Sequence, residues 1–307
     1  MNTESSEGGK PSPPPAAESK SRPPPLRGRR RKITMEQEDD FLASKYVEYR
    51  KACRAAEAFT PFMPYGWFKP PQTVRLDSEF GLQRMAYRDL ADDAARDLAN
   101  GINHLIGLTM RLEAWGSVIE ALDVQQTNQL LHEFVQDLAS TALLSPYTLK
   151  ARFFFAVAHL SHQANRVSQG NEWADDLTAL PEDWGIKEEV AVKAAKPWRS
   201  WKKLNRALNT VDMGDYKSAT DDFRSKYTHR FTPRVELGIS QSIKRLWAKG
   251  EKTPSYGIGG SPPLKLDAVV QELKVQCVRL SACYAEFQKL VAEQSKVLFG
   301  NADSPQE

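Results

Sequence analysis

Residues 266–291 read LDAVVQELKVQCVRLSACYAEFQKLV, and this stretch decides the fold class. Large apolar side chains recur along it in alternating steps of four and three residues: Leu266, Val270, Leu273, Cys277, Leu280, Tyr284, Phe287 and Val291. That spacing places all of them on one stripe of an α-helix. A stripe so regular over about four heptads is typical of a coiled-coil seam or of a long helix in a bundle. The pattern leaves open whether helix 264–299 packs within the chain or between chains.

Similar periodicity upstream predicts an all-α fold. Apolar residues at three- and four-residue steps predict helices over 80–112 and 124–144. Ser145-Pro146 then predicts an N-cap followed by a first-turn proline, which would open a third helix through 151–162. Shorter helices are expected over 33–57, 198–208 and 215–231, and an ordered aromatic loop over 59–72. Because no stretch predicts a sheet, we expect a helical bundle.

Composition divides the chain into four parts. Residues 1–32 hold eight of the 42 cations and three of the 39 acids, are rich in proline, and predict a disordered basic tail. Such a tail suits either contact with a phosphate or acidic partner, or a solvated segment without a specific role. A helical bundle over 33–249, a Gly/Pro linker over 250–263 and an amphipathic helix over 264–299 are expected to follow. Residues 33–307 carry a net charge of −2, so any nucleic-acid binding by the bundle requires a local cleft.

The remaining composition narrows the function classes. Cys53, Cys277 and Cys283 form neither a disulfide framework nor a zinc motif, which favours a reducing cytoplasm. The sequence predicts no membrane span and no secretory signal. It also predicts no cofactor, because phosphate-binding and dinucleotide-binding glycine loops are missing. His159 and His162 could share a helix face as metal ligands, but without an HExxH arrangement we expect packed or surface histidines and no metal.

One segment carries candidate chemistry. Residues 221–230 read DDFRSKYTHR, in which Arg224 and His229 form an R-x4-H pair near the end of a helix. Histidine titrates near neutrality and can act as a general acid or base. Arginine can hold phosphate oxygens and stabilise charge in a transition state. Together they suit metal-free RNA cleavage, in which a ribose 2′-hydroxyl attacks the adjacent phosphate.

The extended string FRSKYTHRFTPR, residues 223–234, resembles the HEPN superfamily. The architectural resemblance covers residues 80–247. It implies a helical bundle that forms a homodimer, with two R-x4-6-H motifs lining one composite cleft, and often a metal-independent endoribonuclease of toxin or defence systems. An antitoxin or other protein partner is then expected. The resemblance makes His229 and Arg224 the catalytic residues, and Ser225, Lys226, Tyr227 and Arg230 the supporting ones. Ser225 departs from the Asn, Asp or His common at that position in active members.

Three alternatives stay open at this point. Arg152 and His159 also satisfy an R-x6-H spacing. Arg224 and His229 could instead be a structural pair in a non-catalytic interaction protein that assembles through helix 264–299. A cluster at 198–203, including Trp198, Arg199 and Lys202, suits either an RNA-stacking surface or a half-buried helix whose cations reach the solvent.

Overall fold

The computed structural model describes residues 35–69, 71, 74–175, 177, 183–247 and 253–300. The expected tail at 1–32 lies outside these residues. The α-helices of the described part are α1 Met35–Ala55, α2 Gly81–Ile119, α3 Val124–Leu130, α4 Gln136–Gln169, α5 Glu188–Ala195, α6 Trp201–Leu208, α7 Gly214–Ala219, α8 Phe223–His229 and α9 Leu266–Phe299. A π-helical turn, Leu131–Val135, joins α3 to α4, and 3-10 turns lie at Gly170–Glu172 and Asp183–Gly185. The predicted all-α class is confirmed.

The regular stripe of α9 packs inside the chain. Helices α2, α4 and α9 contact one another in pairs and form the centre of the bundle. All eight stripe residues, from Leu266 to Val291, are buried in this single chain. Phe287 shows why, because its ring meets Phe153 of α4 edge-on with the two ring centroids 5.9 Å apart. The stripe is therefore the core face of a bundle helix.

Helix α4 corrects the boundary predicted at Ser145-Pro146. Both residues lie inside the helix, and the Ser145 hydroxyl donates to the Thr141 carbonyl at 2.7 Å. An interior proline costs a helix about 3 kcal/mol. Burial of Leu143, Leu149 and Phe153 on either side offsets that cost, at roughly 1.5–3 kcal/mol for each side chain. Packing therefore carries the helix through the proline.

The aromatic loop at 59–69 is ordered and tied to the core, as predicted. The Trp67 indole N–H donates to the Tyr284 hydroxyl at 2.7 Å, and that hydroxyl donates to the Ala95 carbonyl at 2.9 Å. The Met63 N–H donates to the Asn103 side-chain oxygen at 2.6 Å. These bonds join the loop to α2 and α9, so the loop is structural.

The two cysteines of α9 serve as small apolar residues of the core. Cys277 and Cys283 are fully enclosed on α9. Burial raises the pKa of each thiol to about 12. Neither is therefore a nucleophile near neutral pH. No helix in the described ranges is both long and apolar enough to cross a membrane.

A small antiparallel ribbon is the main feature that the sequence did not predict. Strands β1 Ile243–Leu246 and β2 Ser255–Ile258 pair in the register Ile243 to Ile258 and Arg245 to Tyr256. An isolated bridge between Ser240 and Ser261 continues this ladder toward the bundle. The linker predicted over 250–263 thus contains a strand, because Gly257 and Gly259 allow the two strands to approach closely.

Candidate functional site

Helices α7 and α8 carry the R-x4-H segment and are anchored on α4 and α9. Phe223, the first residue of α8, is almost completely buried, and α8 contacts α4. On α7 the buried Tyr216 donates its hydroxyl to the Leu143 carbonyl at 2.9 Å. On the outer side the Asp215 carboxylate pairs with Arg279 of α9 at 2.6 Å. These contacts fix the position of the short α8.

The helix predicted over 215–231 is interrupted in its middle. Asp221 and Asp222 adopt left-handed conformations, with φ of 54° and 48°. The Asp222 N–H donates to the Lys217 carbonyl at 2.6 Å and closes α7. Two successive residues with positive φ redirect the chain, so α8 starts in a new direction. This break separates Arg224 and His229 from α7 and turns α8 toward α4.

Arg224 is held against an aromatic ring. Its guanidinium carbon lies 3.3 Å from the centroid of the Tyr147 ring, which belongs to α4. A cation in this position is attracted by the electron-rich face of the ring and is restrained to one rotamer. Arg224 is only partly buried and also lines an open cleft. It is therefore positioned while one side stays accessible.

His229 ends α8 and is exposed. It follows Ser225 by four residues, so helix geometry puts both on one face, one turn apart. Arg224 lies about 140° away from His229 around the helix axis. None of the described residues forms a hydrogen bond or ion pair with the imidazole. A substrate could thus reach the His229 ring directly.

An open cleft of about 620 Å³ lies beside α8. It is lined by Gly214, Lys217, Ser218, Asp221, Asp222, Arg224 and Ser225. The two cations and two serine hydroxyls are donors of the kind that hold phosphate oxygens. Of the two carboxylates, Asp221 is paired with Lys226 at 2.5 Å. Lys217 and Arg224 are therefore the groups that could hold an anion in this cleft, and Asp222 is the second lining carboxylate.

Asp212 is a buried carboxylate near this cleft that sequence reasoning missed. It adopts a φ of 53°, and its N–H donates to the Gln276 side-chain oxygen at 3.0 Å. Burial raises the pKa of Asp212, and the nearby cations Lys217, Arg224 and Lys150 oppose that rise. Asp212 thus lies near enough to Lys217 and Arg224 for their charges to act on its carboxyl group.

The supporting residues of the motif differ in how far other side chains of the protein engage them. Lys226 is held by Asp221, and the Tyr227 ring stacks on Phe223 with centroids 5.7 Å apart. Tyr227 and Arg230 are exposed to solvent. The structure therefore leaves Tyr227 and Arg230 available to a ligand near His229, while Lys226 is engaged.

The aromatic cluster at 198–203 is structural in its aromatic part. Trp198 is buried, and its indole N–H donates to the Asn165 side-chain oxygen at 2.9 Å. Trp201 is buried as well, whereas Arg199 and Lys202 are exposed. The backbone N–H of Arg199 donates to Glu293 of α9 at 2.9 Å. The indoles therefore cannot stack on RNA bases, which favours the half-buried-helix alternative.

The second R-x-H pair, Arg152 and His159, lines a separate cavity of about 220 Å³ between α2 and α4, together with Asp93 and Asp97. Arg152 pairs with Asp97 at 3.2 Å, and the His159 ring packs on Phe155 with centroids 4.5 Å apart. His162 is bonded to Asp175 at 2.7 Å. Burial lowers the pKa of His159, which favours its neutral form in the folded protein. Arg152 and His162 are therefore held by pairing, whereas the buried His159 Nε2 has no hydrogen-bond partner among the described residues and lies 3.7 Å from Asp183.

Two contributors to the site could not be found from the motif. Tyr147 and Asp212 are distant in sequence from Arg224, and no local pattern links them to it. Tyr147 directly follows the Ser145-Pro146 pair that was predicted to begin a helix. The left-handed turn at Asp212 has no glycine to signal it.

Comparison of the chain with protein-family models, curated proteins and solved structures finds no match.

Proposed function

We propose that this chain is a metal-independent endoribonuclease of the HEPN type, with His229 as general acid/base and Arg224 as the phosphate clamp. The observation that carries the proposal is a cleft containing two cations beside a short helix that ends in an unbonded imidazole. Arg224 and Ser225 line the cleft, and His229 lies one helical turn beyond Ser225, exposed and unbonded within the described residues.

The proposed reaction is an internal transesterification. The ribose 2′-oxygen forms a bond to the adjacent phosphorus, and the bond from phosphorus to the 5′-oxygen breaks. A base accepts the 2′-hydroxyl proton and an acid protonates the departing 5′-oxygen. The products are a 2′,3′-cyclic phosphate and a 5′-hydroxyl. Arg224, fixed by Tyr147, would stabilise the charge that grows on the phosphate oxygens.

A second copy completes this scheme. One chain contributes a single Arg224/His229 pair, and the scheme needs one base and one acid at the same phosphate. Two copies meeting along α8 would supply two histidines to one composite cleft. The stripe of α9 is buried within one chain, so the proposed dimer contact does not use that stripe. Exposed residues around α8, such as Tyr227 and Arg230, are the proposed contact and substrate surface.

Cleavage in the presence of EDTA tests the proposal. Purified protein should cut single-stranded RNA with metal ions chelated, and the Arg224→Ala/His229→Ala variant should not. Gel analysis of a panel of labelled RNAs provides the readout. Equal cleavage by the two proteins would assign the activity to a contaminant. The absence of cleavage by both, across the panel, would also overturn the proposal.

A non-catalytic interaction protein is the second candidate, and the Arg224–Tyr147 stack favours it. A cation packed on an aromatic ring can serve stability alone. A double-mutant cycle with Arg224→Ala and Tyr147→Ala should give a coupling of ~0.5–2 kcal/mol in the free energy of unfolding. Denaturant unfolding of the four proteins measures it.

The two candidates differ in what Tyr147→Ala does to catalysis. The endoribonuclease predicts that this variant loses cleavage as well, by about 2- to 30-fold, because Arg224 is no longer held in place. If the double-mutant cycle gave the expected coupling but none of the four proteins cleaved RNA, the interaction protein would be favoured. Tyr46→Ala, at another partly exposed tyrosine, is the control and should leave cleavage unchanged.

A further inference from the structure

The β1–β2 ribbon projects from the helical bundle. Its strands pack chiefly on each other, and their register continues through the Ser240–Ser261 bridge to the start of α9. A two-stranded ribbon without a covering element has marginal stability by itself. The two ends near Ser240 and Leu264 fix it to the bundle, where Leu264 N–H donates to the Arg234 carbonyl at 2.8 Å. It is thus an anchored arm.

The two faces of this arm differ. On one face Leu246 lies over Gly257, and Lys244 lies over Gly259 and donates to the Gly260 carbonyl at 3.0 Å. Leu246 on this face is nevertheless 48% exposed. The opposite face, the open face, presents Ile243, Arg245, Tyr256 and Ile258 in two cross-strand pairs.

The open face is mainly aromatic and apolar around one cation. Tyr256 is 72% exposed and Ile258 95% exposed. Trp247, two residues beyond Arg245 along the strand direction, is 61% exposed. The Arg245 guanidinium lies 4.8 Å from the Trp247 ring centroid. Trp247, Arg245 and Tyr256 therefore form a continuous stacking surface, with the Ile243–Ile258 pair beside it.

Charge is strongly segregated in the same part of the chain. Residues 223–247, from the start of α8 to the end of the first ribbon strand, contain six cations and one carboxylate, Glu236. Residues 33–307 as a whole are net acidic, so the remainder of that region repels an anion. Exposed aromatic rings, Tyr227 and Phe231 near α8 and Trp247 on the arm, lie within this basic stretch.

We propose that the ribbon's open face binds the unpaired bases of single-stranded RNA, the substrate proposed for the α8 cleft. This inference rests on the proposed function and specifies its substrate class. Base–aromatic stacking tolerates any base and needs bases whose faces are free, which a duplex does not offer. The basic stretch from α8 to the arm complements the backbone phosphates.

Binding of labelled RNA tests this without reference to cleavage. The probe is a 5′-fluorescein oligouridine of ~12 nucleotides, a length typical of such sites. It is titrated by fluorescence anisotropy with the full chain carrying His229→Ala, which prevents turnover. Trp247→Ala and Tyr256→Ala, added singly, should each weaken binding by ~5- to 100-fold. Trp184→Ala removes another exposed tryptophan and should leave affinity unchanged.

Four other outcomes would each overturn the ribbon proposal, and each has a different meaning. Unchanged affinity in both ribbon variants would remove the arm from RNA binding, while cleavage lost in Arg224→Ala would still support the endoribonuclease. Equal affinity for a duplex of the same length would contradict the single-strand preference. If light scattering showed that the ribbon variants differ in mass from the parent protein while they keep its RNA affinity, the face would be a contact between copies. No binding by the parent protein would exclude RNA as its occupant.

Discussion

His229→Ala is expected to reduce RNA cleavage by about 10²- to 10⁴-fold, the usual contribution of a positioned general acid/base. The imidazole is exposed at the end of α8 and makes no bond within the described part of the chain, so its removal costs little packing. The free energy of unfolding should therefore change by no more than ~0.5 kcal/mol. Single-turnover cleavage and denaturant unfolding measure the two quantities on the same protein samples.

His104→Ala provides the matched control, since His104 is also an exposed histidine on a helix. It should retain full cleavage. If His229→Ala kept more than about a tenth of the parent rate, proton transfer by this residue would be too small for a general acid/base. A fall in rate that followed a loss of stability would point instead to a structural role.

Phe287→Ala has the largest expected effect on stability, a loss of ~3–5 kcal/mol in the free energy of unfolding. The ring is fully buried and meets Phe153 of α4 and Trp67 of the aromatic loop edge-on. Truncation leaves a cavity where three elements meet, and the helices cannot collapse fully around it. Denaturant unfolding measures the loss.

Phe62→Ala removes the same side chain from an exposed position and should change stability by only ~0.5 kcal/mol. The pair of variants also tests the role of the α9 stripe. Because that stripe packs within one chain, the folded Phe287→Ala variant should keep the mass of the parent. Dissociation of a dimer with an unchanged free energy of unfolding would show that the stripe joins two copies.

The fold was predictable where burial follows a simple period. The apolar residues of the α9 stripe are spaced by about one helical turn, so their spacing alone identified the buried face of the helix. The predicted helix start at Ser145-Pro146 was wrong because local capping rules take no account of the burial of Leu143 and Phe153. That burial holds α4 together through the proline. The ribbon was missed because both strands are short and the second lies in a glycine-rich segment. SYGIGG therefore reads as a linker, although pairing with 240–246 makes it ordered.

The candidate site was predictable only in its local part. Chain spacing nominated Arg224 and His229, since both lie on α8. Tyr147 and Asp212 approach Arg224 only through the packing of α4 and of the turn before α7. The left-handed Asp221-Asp222 break, which separates α8 from α7, was not predicted either, because it contains no glycine or proline to mark it. No spacing rule contains this information.

The chemical identity of the cleaved RNA ends tests the central claim most directly. A single-stranded RNA is cut by the parent protein in EDTA, and the new termini are mapped by enzymatic end-labelling and mass spectrometry. Attack by the 2′-oxygen with His229 as acid/base predicts a 2′,3′-cyclic phosphate and a 5′-hydroxyl, and no cut at a 2′-deoxy position. A 3′-hydroxyl paired with a 5′-phosphate, or cleavage that persists at the 2′-deoxy position, would contradict it.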